Sequence, residues 1–287
     1  MIGAGRLCLV LLTILGSNAC TDRSAGGSDK VESSQVVQFQ QWKLPSRLKE
    51  ISGLALSPNG RLFSVDDEQA VIYEIDYGKG KIVKKFALGE PVLKGDFEGI
   101  AYLDGRLLLI TSNGLLYSAV EGLDGEHVSY EKIDTEIGEE CEIEGLVQDP
   151  DQARLLIICK KMHDDDDELA IFVWHMGDGQ EGNGGRIKLP VSDILAQLKT
   201  GKLHPSGIAI HPHSRSLFII AARQRALIEL DPEGGFISAG KLPKKKRHRQ
   251  PEGVEILPAG ELIISDEGDG KRARLAIYSS THVIEES

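Results

Sequence analysis

Aromatic residues and positive charge are both scarce in this chain of 287 residues. Phe, Trp and Tyr make up 5% of the sequence, which gives little support for an aromatic platform that stacks bases or sugars. Lys and Arg number 33 against 44 Asp and Glu, so the formal net charge is −11. Because nucleic-acid binding needs a basic surface that neutralises phosphates, this balance argues against nucleic acid as the main partner. The hydrophobic content of 41% is ordinary for a globular protein.

The apolar run near the N-terminus is too short to span a bilayer. It extends from Leu7 to Leu15, follows a single early cation, and is succeeded by small residues up to Ala19. This arrangement is typical of a secretory signal peptide, which we predict over residues 1–19. Residues 20–37 are rich in Ser, Gly and charge, which predicts a flexible tether, and the folded domain is expected over 38–287.

The residue that follows the predicted cleavage site is Cys20. The segment resembles a bacterial lipoprotein signal, in which this cysteine carries the lipid, although Ser17 stands where such signals usually have Leu. Lipidation would attach the protein to a membrane surface without a spanning helix. Since Thr21 rather than Asp comes next, the resemblance favours the periplasmic face of the outer membrane. A secreted or soluble periplasmic protein is the alternative.

One phrase centred on glycine recurs five times along the chain. The copies are "EISGLAL", "DFEGIAY", "EIEGLVQ", "HPSGIAI" and "QPEGVEI", with their glycines at Gly53, Gly99, Gly145, Gly207 and Gly253. Successive glycines are 46, 46, 62 and 46 residues apart. Three identical intervals with matched flanking residues indicate an internal structural repeat.

Each repeat has the pattern of four antiparallel strands. A turn rich in Asn, Asp, Gly or Pro follows the phrase, and two apolar runs come next. A more polar fourth strand is predicted at 81–88, 128–134, 186–190 and 236–243. Four strands in about 45 residues are the unit of a β-propeller blade. The longest interval accommodates an inserted loop and a short helix at 191–200.

The fifth repeat has no fourth strand of its own. Residues 36–45 resemble the other outer strands and precede the first phrase, so we predict that they complete the last blade and close the ring. Closure removes the exposed sheet edges that an open stack of blades would leave. We therefore predict an all-β, five-bladed propeller of four-stranded blades. Six blades are less favoured, because a sixth phrase is lacking.

These phrases resemble those of the SdiA-regulated (YjiK-like) family of bacterial exported proteins. The resemblance is carried by "SGLA", "FEGIA", "EGL", "SGIA" and "PEGVE", each followed by a strand that ends in polar residues such as "SVDDE" or "SDEGD". It extends over roughly residues 38–285. The resemblance implies a five-bladed propeller similar to calcium-binding members, and it implies no particular reaction.

The residue before each repeated glycine is a candidate ligand of a central site. These residues are Ser52, Glu98, Glu144, Ser206 and Glu252. Ring closure would turn all five toward the axis, where three carboxylates repel one another and raise the pKa of at least one. Ca²⁺ binds six to eight oxygen atoms and would relieve this repulsion.

Further oxygen ligands are expected at the ends of the second strands, namely Asp66, Asp67, Asn113, Asp266 and Glu267, of which Asp67 and Asp266 are the preferred candidates. No set of His and Cys has the spacing of a zinc site. The residues therefore predict a calcium-binding propeller of the cell envelope that binds a small ligand, a glycan or an envelope protein.

Two other interpretations of the carboxylates stay open. They could accept backbone hydrogen bonds and serve folding alone. They could also form the centre of a hydrolase, either a glycosidase with one protonated and one ionised carboxyl or a metal-assisted lactonase or esterase. The sequence shows neither a convincing Ser/His/Asp set nor "GxSxG", so the enzyme interpretation is the second choice.

Two cysteines remain in the predicted domain. Cys141 lies just before the third phrase and Cys159 in the next strand of the same repeat. A hairpin would bring them to neighbouring strands, where a disulfide is permitted in an oxidising compartment. Two separate buried thiols are the alternative.

Overall fold

The apolar runs after each glycine phrase form β-strands in a computed structural model, which describes residues 38–149, 151–165, 168–176, 182–243, 246–268 and 270–283. These runs are apolar on both faces because each blade packs against a blade on either side. Leu107, Leu108, Leu109 and Ile110 are consecutive in one strand, and all are buried. The continuous pattern is typical of a strand that is covered on both faces.

The strands are numbered in chain order and grouped by blade. The chain begins with β1 (Phe39–Lys43) and a 3-10 turn at Ser46–Leu48. Blade 1 contains β2 (Ile51–Leu56), β3 (Leu62–Asp66), β4 (Val71–Asp76) and β5 (Lys81–Leu88). Blade 2 contains β6 (Phe97–Leu103), β7 (Arg106–Thr111), β8 (Leu115–Val120) and, after the short β9 (His127–Val128), β10 (Glu131–Asp134).

The remaining three blades follow the same order. A 3-10 turn at Ile137–Glu139 leads to blade 3, with β11 (Cys141–Asp149), β12 (Arg154–Met162), β13 (Ala170–His175) and β14 (Gly182–Lys188). The helix α1 (Val191–Leu198) precedes blade 4, with β15 (Gly207–Ile210), β16 (Leu217–Ala221), β17 (Ala226–Leu230) and β18 (Phe236–Lys241). Blade 5 contains β19 (Pro251–Ile256), β20 (Leu262–Asp266) and β21 (Arg274–Tyr278).

The N-terminal strand completes the fifth blade, as the sequence predicted. β1 pairs antiparallel with β21, so that Phe39 lies opposite Tyr278 and Lys43 opposite Arg274. The fifth sheet therefore has the order β1-β21-β20-β19, and the described structure has five four-stranded blades. The predicted fold class is confirmed. Both ends of the domain are joined in one sheet, which leaves no unpaired edge at the point of closure.

The hydrophobic core is divided among the gaps between neighbouring blades. Five clusters of buried residues are present, and each combines side chains from two successive blades. Phe63 and Ile100, for example, share the cluster between blades 1 and 2. The cluster between blades 5 and 1 is completed by Leu44 and Leu48, just after the closing strand. Apolar burial between blades therefore stabilises the ring as a whole.

Two details differ from the simple repeat. The strand predicted over 128–134 is divided, because Val128 pairs with Leu88 of blade 1 and packs against that blade's core. The helix α1 confirms the predicted helical insertion, and its Ile194 and Leu198 are buried in the cluster between blades 3 and 4. Among the residues described, no helix combines the length and hydrophobicity needed to cross a membrane.

Candidate functional site

The five repeated glycines allow the inner strands to meet around the axis. The first strands contact one another in the cyclic order β2, β6, β11, β15, β19 and back to β2. A Cβ atom added to Gly99 would lie 2.7 Å from the backbone nitrogen of Leu146. One added to Gly253 would lie 3.1 Å from the carbonyl carbon of Gly53. A side chain at these positions would therefore collide with the next blade, which explains the recurrence of glycine.

Each motif glutamate occupies a β-bulge immediately before its glycine. Phe97 pairs with Thr111 and Gly99 with Ile110, which leaves Glu98 without an opposite residue. The same register shift leaves out Glu144 in blade 3 and Glu252 in blade 5. A bulge re-aims the side chain of its extra residue and commonly lies beside functional sites. Here it removes the three carboxylates from the strand ladder, and they line a cavity at the axis.

This carboxylate cavity lies at the N-terminal ends of the inner strands. Its volume is about 170 Å³. Its polar lining consists of Ser52, Gln250 and a set of charged residues that includes the three bulge glutamates: Glu50, Asp67, Glu98, Glu144, Lys160, Glu252 and Glu267. The structure therefore brings together six of the predicted ligands, namely Ser52, Asp67, Glu98, Glu144, Glu252 and Glu267. Sequence reasoning did not single out Glu50 or Lys160.

Burial and mutual repulsion disfavour the charged form of all three bulge glutamates. Burial raises the pKa of Glu144, although its hydrogen bond to Lys160 opposes that rise. Burial, reinforced by the charges of Glu144, Asp96 and Glu252, raises the pKa of Glu98 to about 9. Burial and the charge of Glu144 likewise raise the pKa of Glu252 to about 8. If all of these acids were ionised, their negative charge would exceed what the surrounding groups compensate.

Lys160 supplies a positive charge inside the ring. Its Nζ forms an ion pair with Glu144 and lies 3.3 Å from a carboxylate oxygen of Glu142. Burial alone would lower the pKa of Lys160, but its hydrogen bond to Glu144 and the charges of both acids raise the pKa overall. Lys160 follows Cys159 on β12. The polar residues at the end of this second strand were the sequence feature from which its place in the cavity could have been predicted. Glu144 is therefore partly neutralised, unlike Glu98 and Glu252.

A second acidic group adjoins the ring on blade 1. Single carboxylate oxygens of Glu50, Asp66 and Asp67 all lie within 4.8 Å of one another. Burial, followed by the charges of Asp66 and Glu50, raises the pKa of Asp67 to about 7. The Oδ1 atom of Asp67 is buried and has no hydrogen-bond partner among the described residues. An unsatisfied carboxylate oxygen beside other carboxylates fits the ligand set of a hard cation such as Ca²⁺.

Asp266 does not join this cavity, contrary to its prediction as a metal ligand. Its side chain is 1% exposed and accepts hydrogen bonds from the backbone nitrogens of Arg249 (2.7 Å) and Gln250 (3.3 Å). It also lies 2.8 Å from Nδ1 of His248, whose Nε2 is 2.6 Å from the hydroxyl of Tyr278. These partners occupy the carboxylate, which holds the loop that leads into β19. The following residue, Glu267, lines the cavity instead.

A larger, basic cavity opens beside the carboxylate cavity. Its volume is about 470 Å³, and the two cavities share Glu144, Lys160, Gln250 and Glu252. Its other charged or ionisable residues are His204, Arg223, Arg225 and Arg249. No single sequence motif unites this group, since Arg223 and Arg225 come from one hairpin and His204 and Arg249 come from two other loops.

A third cavity lies at the C-terminal ends of the same inner strands. Its volume is about 410 Å³, and aliphatic residues and prolines make up much of its lining, among them Leu56, Ile210 and Pro258. Glu255 lies here and accepts hydrogen bonds from the backbone nitrogens of Leu56 (3.1 Å) and Ile256 (2.9 Å). Burial raises the pKa of Glu255 to about 7. This end of the channel therefore lacks the cluster of converging carboxylates seen at the other end.

The remaining predictions concern the cysteines and the N-terminal segment. Cys141 and Cys159 form a disulfide, with their Cα atoms 5.9 Å apart, next to Glu144 and Lys160 along the two strands. The predicted signal peptide at 1–19, the lipid site at Cys20 and the tether at 20–37 lie outside the described residues.

Comparison with known proteins supports the resemblance inferred from the repeated phrases. The SdiA-regulated family model matches residues 193–287, which contain most of α1, all of blade 4 and strands β19 to β21 of blade 5. This match is consistent with the resemblance inferred from the repeated phrases. No curated protein sequence matches the chain.

Several solved structures share the fold at low sequence identity. Glutaminyl cyclase of Myxococcus xanthus aligns with a TM-score of 0.56 at 13% identity, over 84% of this chain and 95% of that one. A luciferin-regenerating enzyme aligns at 0.52 and 11% identity, over 82% and 93%. PQQ-bound aldose sugar dehydrogenase of Streptomyces coelicolor aligns at 0.50 and 13% identity, over 84% and 98%. At these identities the likeness shows the fold alone.

Proposed function

We propose that this SdiA-regulated-type propeller is a calcium-binding module of the cell envelope that binds a ligand or a protein at the channel mouth. The observation that carries the proposal is the convergence of Glu98, Glu252 and Asp67 on one cavity. The three acids come from different blades, and their pKa values are raised to about 9, 8 and 7. A bound cation would relieve this repulsion.

The donor set suits calcium better than a transition metal. The cavity lining provides carboxylate oxygens together with the Ser52 hydroxyl and the Gln250 amide, and it includes neither His nor Cys. Hard oxygen donors favour Ca²⁺ or Mg²⁺, and Ca²⁺ tolerates the irregular arrangement that several blades impose. Glu98, Glu252, Asp67 and Glu50 are the residues that would hold the ion. Glu144 is the weaker candidate, because Lys160 already pairs with it.

Calorimetric titration of the purified protein with CaCl₂ tests the ion site. We expect Glu98→Gln and Glu252→Gln each to weaken calcium binding at least about tenfold, because each removes a charged ligand. Glu131→Gln is the matched control, since its carboxylate lies on the outer strand β10 and is 74% exposed. Equal calcium affinity in all four proteins would refute the shared site.

The cell-envelope assignment is supported by the N-terminal sequence. The apolar run and Cys20 resemble a lipoprotein signal, and the Cys141–Cys159 disulfide suits an oxidising compartment. Metabolic labelling with a fatty acid would mark the wild type, and Cys20→Ala would lose the label if Cys20 carries the lipid. A label retained by this variant would place the lipid elsewhere.

A hydrolase is the second candidate, and one feature of the site favours it. Glu98, with its pKa raised to about 9, lies in the same cavity as Glu144, which Lys160 keeps ion-paired. One protonated and one ionised carboxyl group form the pair that general acid–base chemistry requires. Chromogenic lactones, esters and glycosides offered to wild type and Glu98→Gln separate the candidates. Turnover lost in the variant while calcium still binds would favour the enzyme.

A further inference from the structure

Blade 4 interrupts the ring of acids at the channel mouth. Its residue before the repeated glycine is Ser206, which is 4% exposed. The Ser206 hydroxyl donates to the carbonyl of Pro251 at 2.8 Å and accepts from the backbone nitrogen of Ala222 at 3.0 Å. Both contacts are internal, so Ser206 connects blade 4 to blade 5 and adds no negative charge to the cavity. The basic cavity opens at this gap between Glu144 and Glu252.

Three arginines line the basic cavity without carboxylate partners. Arg223 and Arg225 come from the hairpin between β16 and β17, and Arg249 comes from the loop before β19. None of the three has an ion pair with an acid in the part of the chain that the structure describes. Arg223 Nη1 lies 3.4 Å from Nε2 of His204. A concentration of guanidinium groups without ion-paired acids is unexpected in a chain with a net charge of −11. Burial, together with the positive charges of Arg223 and Lys160, lowers the pKa of His204 beside them.

The backbone of the hairpin is strained at Arg225. Its φ angle is 48°, in the left-handed region, and its nitrogen donates to the carbonyl of Ala222 at 3.0 Å. The corresponding turn of blade 2 places Gly114 at this position, with φ 85° and a 2.9 Å bond to the carbonyl of Thr111. Only glycine adopts this conformation without steric cost. Arg225 combines this strained backbone conformation with a side chain that lines the basic cavity.

The hairpin is also held rigidly over the cavity. The Gln224 side chain accepts from the backbone nitrogen of His204 at 3.3 Å and donates to the carbonyl of Lys202 at 2.8 Å. Lys241 donates to the carbonyl of Gln224 at 3.0 Å. Gln224 therefore ties the hairpin to neighbouring segments, while the arginines on either side of it line the cavity. A site ordered before binding loses less entropy when a ligand arrives.

We infer that the basic cavity binds the oxyanion, a carboxylate or a phosphate, of a small organic ligand through Arg223, Arg225 and Arg249. The planar guanidinium group matches the geometry of both oxyanions and can form two parallel hydrogen bonds with either. The inference rests on the proposed role as a ligand-binding module, but it does not depend on whether the protein binds calcium. Because Glu144 and Glu252 belong to both cavities, the rest of the ligand would lie over the proposed ion site.

The shape of the site favours a small ligand over a lipid surface. The arginines surround a concave volume of about 470 Å³, which is the size of a small-molecule pocket. Docking on anionic lipids would instead draw on exposed cations over a broad surface. A small-ligand site predicts that removing a cation outside the cavity leaves binding unchanged. Docking on a lipid surface predicts that the same change weakens binding.

Calorimetric titration of the purified protein with glycerol 3-phosphate and with glycerate tests the inference. The two probes carry different oxyanions, and glycerol serves as the neutral control. We expect at least one probe to bind in EDTA, and glycerol not to bind. Arg225→Gly and Arg249→Gln should each weaken that binding about tenfold or more, since each removes charge-assisted hydrogen bonds.

Lys199→Gly is the matched control. Lys199 is exposed, has φ 51° and does not line the cavity, so this change also removes one positive charge from a left-handed position. It should leave binding of the probe unchanged. Thermal unfolding of Arg225→Gly, which relieves strain, should occur at or above the wild-type temperature and so exclude misfolding as the cause.

Three outcomes would overturn the inference: neither probe binds, Arg225→Gly binds like wild type, or Lys199→Gly weakens binding equally. Binding only to vesicles of anionic lipid, reduced equally by both glycine variants, would show a surface charge effect instead.

Calcium binding without anion binding would refute this inference alone. Anion binding in EDTA without any calcium binding would refute only the ion site.

Discussion

The two ends of the inner strands line cavities of contrasting chemistry, although four of the five inner strands contribute to both. At the N-terminal ends, Glu98, Glu144, Glu252 and Asp67 surround a cavity of about 170 Å³ that also contains Lys160. At the C-terminal ends, a few residues further along, many aliphatic side chains and prolines surround a cavity of about 410 Å³. The repeated glycines lie between the two ends, where the blades approach most closely.

The difference between the ends arises from backbone pairing. At the charged end, each motif glutamate is the extra residue of a bulge and has no opposite residue in the ladder. Beyond the glycine, regular pairing resumes, for example between Ile100 and Leu109. Regular pairing restores the alternation of side chains that packs the blades together. The bulge thus allows a strand to present an acid at one end without disturbing its core at the other.

The largest expected effect concerns the glycines that separate the two ends. Gly99→Ala would place a Cβ atom 2.7 Å from the backbone nitrogen of Leu146, so two blades would have to move apart. We expect a loss of about 3 kcal/mol in the free energy of unfolding, measured by denaturant titration. Gly201→Ala is the control, because its added Cβ meets no atom within 4 Å. Equal stability of the two variants would show that the ring tolerates expansion.

A smaller effect is expected at the apolar end. Ile210 is 7% exposed and packs in the cluster between blades 3 and 4. Ile210→Ala should lower the free energy of unfolding by about 2 kcal/mol, at the low end for such changes because the residue already borders a cavity. Calcium affinity in the titration proposed above should stay unchanged, because Ile210 does not line the carboxylate cavity. A parallel fall in calcium affinity would mean that the two ends are coupled.

A pH dependence of stability is expected at the charged end, and it is measured as a slope. The carboxyl group of Glu98 has an ordinary pKa of 4.5 and a folded-state pKa raised to about 9. Between these values the folded protein binds more protons than the unfolded chain, so its stability falls as the pH rises. One such group contributes a slope of at most about 1.4 kcal/mol per pH unit.

Denaturant titrations in EDTA at several pH values measure this slope. Glu98→Gln should reduce it, since glutamine does not ionise. The exposed Glu131→Gln should leave it unchanged. An identical slope in wild type and Glu98→Gln would show that Glu98 titrates alike in the folded and unfolded states.

The acidic ring could be predicted because its members occupy the same position in each repeat. The same reasoning failed for Lys160, which was not predicted to line the cavity, and for Asp266, which was predicted to line it and does not. Whether a residue at the end of a second strand faces the channel depends on the register of its hairpin, and a shift of one residue reverses the face. Asp266 therefore lies in the interior of blade 5 while Glu267 lines the cavity. The basic cavity could not be foreseen, because its arginines come from two loops that are distant in the sequence and meet only in the closed ring.

The sequence alone determined the number of blades, the strand that closes the ring and the glycines at the axis. These features follow from local patterns: turn residues, apolar runs and a recurring spacing, each of which acts within one repeat or between equivalent repeats. Only the tertiary structure decided which charged groups meet, which of them pair and how far their pKa values move. Pairing and desolvation depend on distances between residues from different blades, and packing of the closed ring sets those distances.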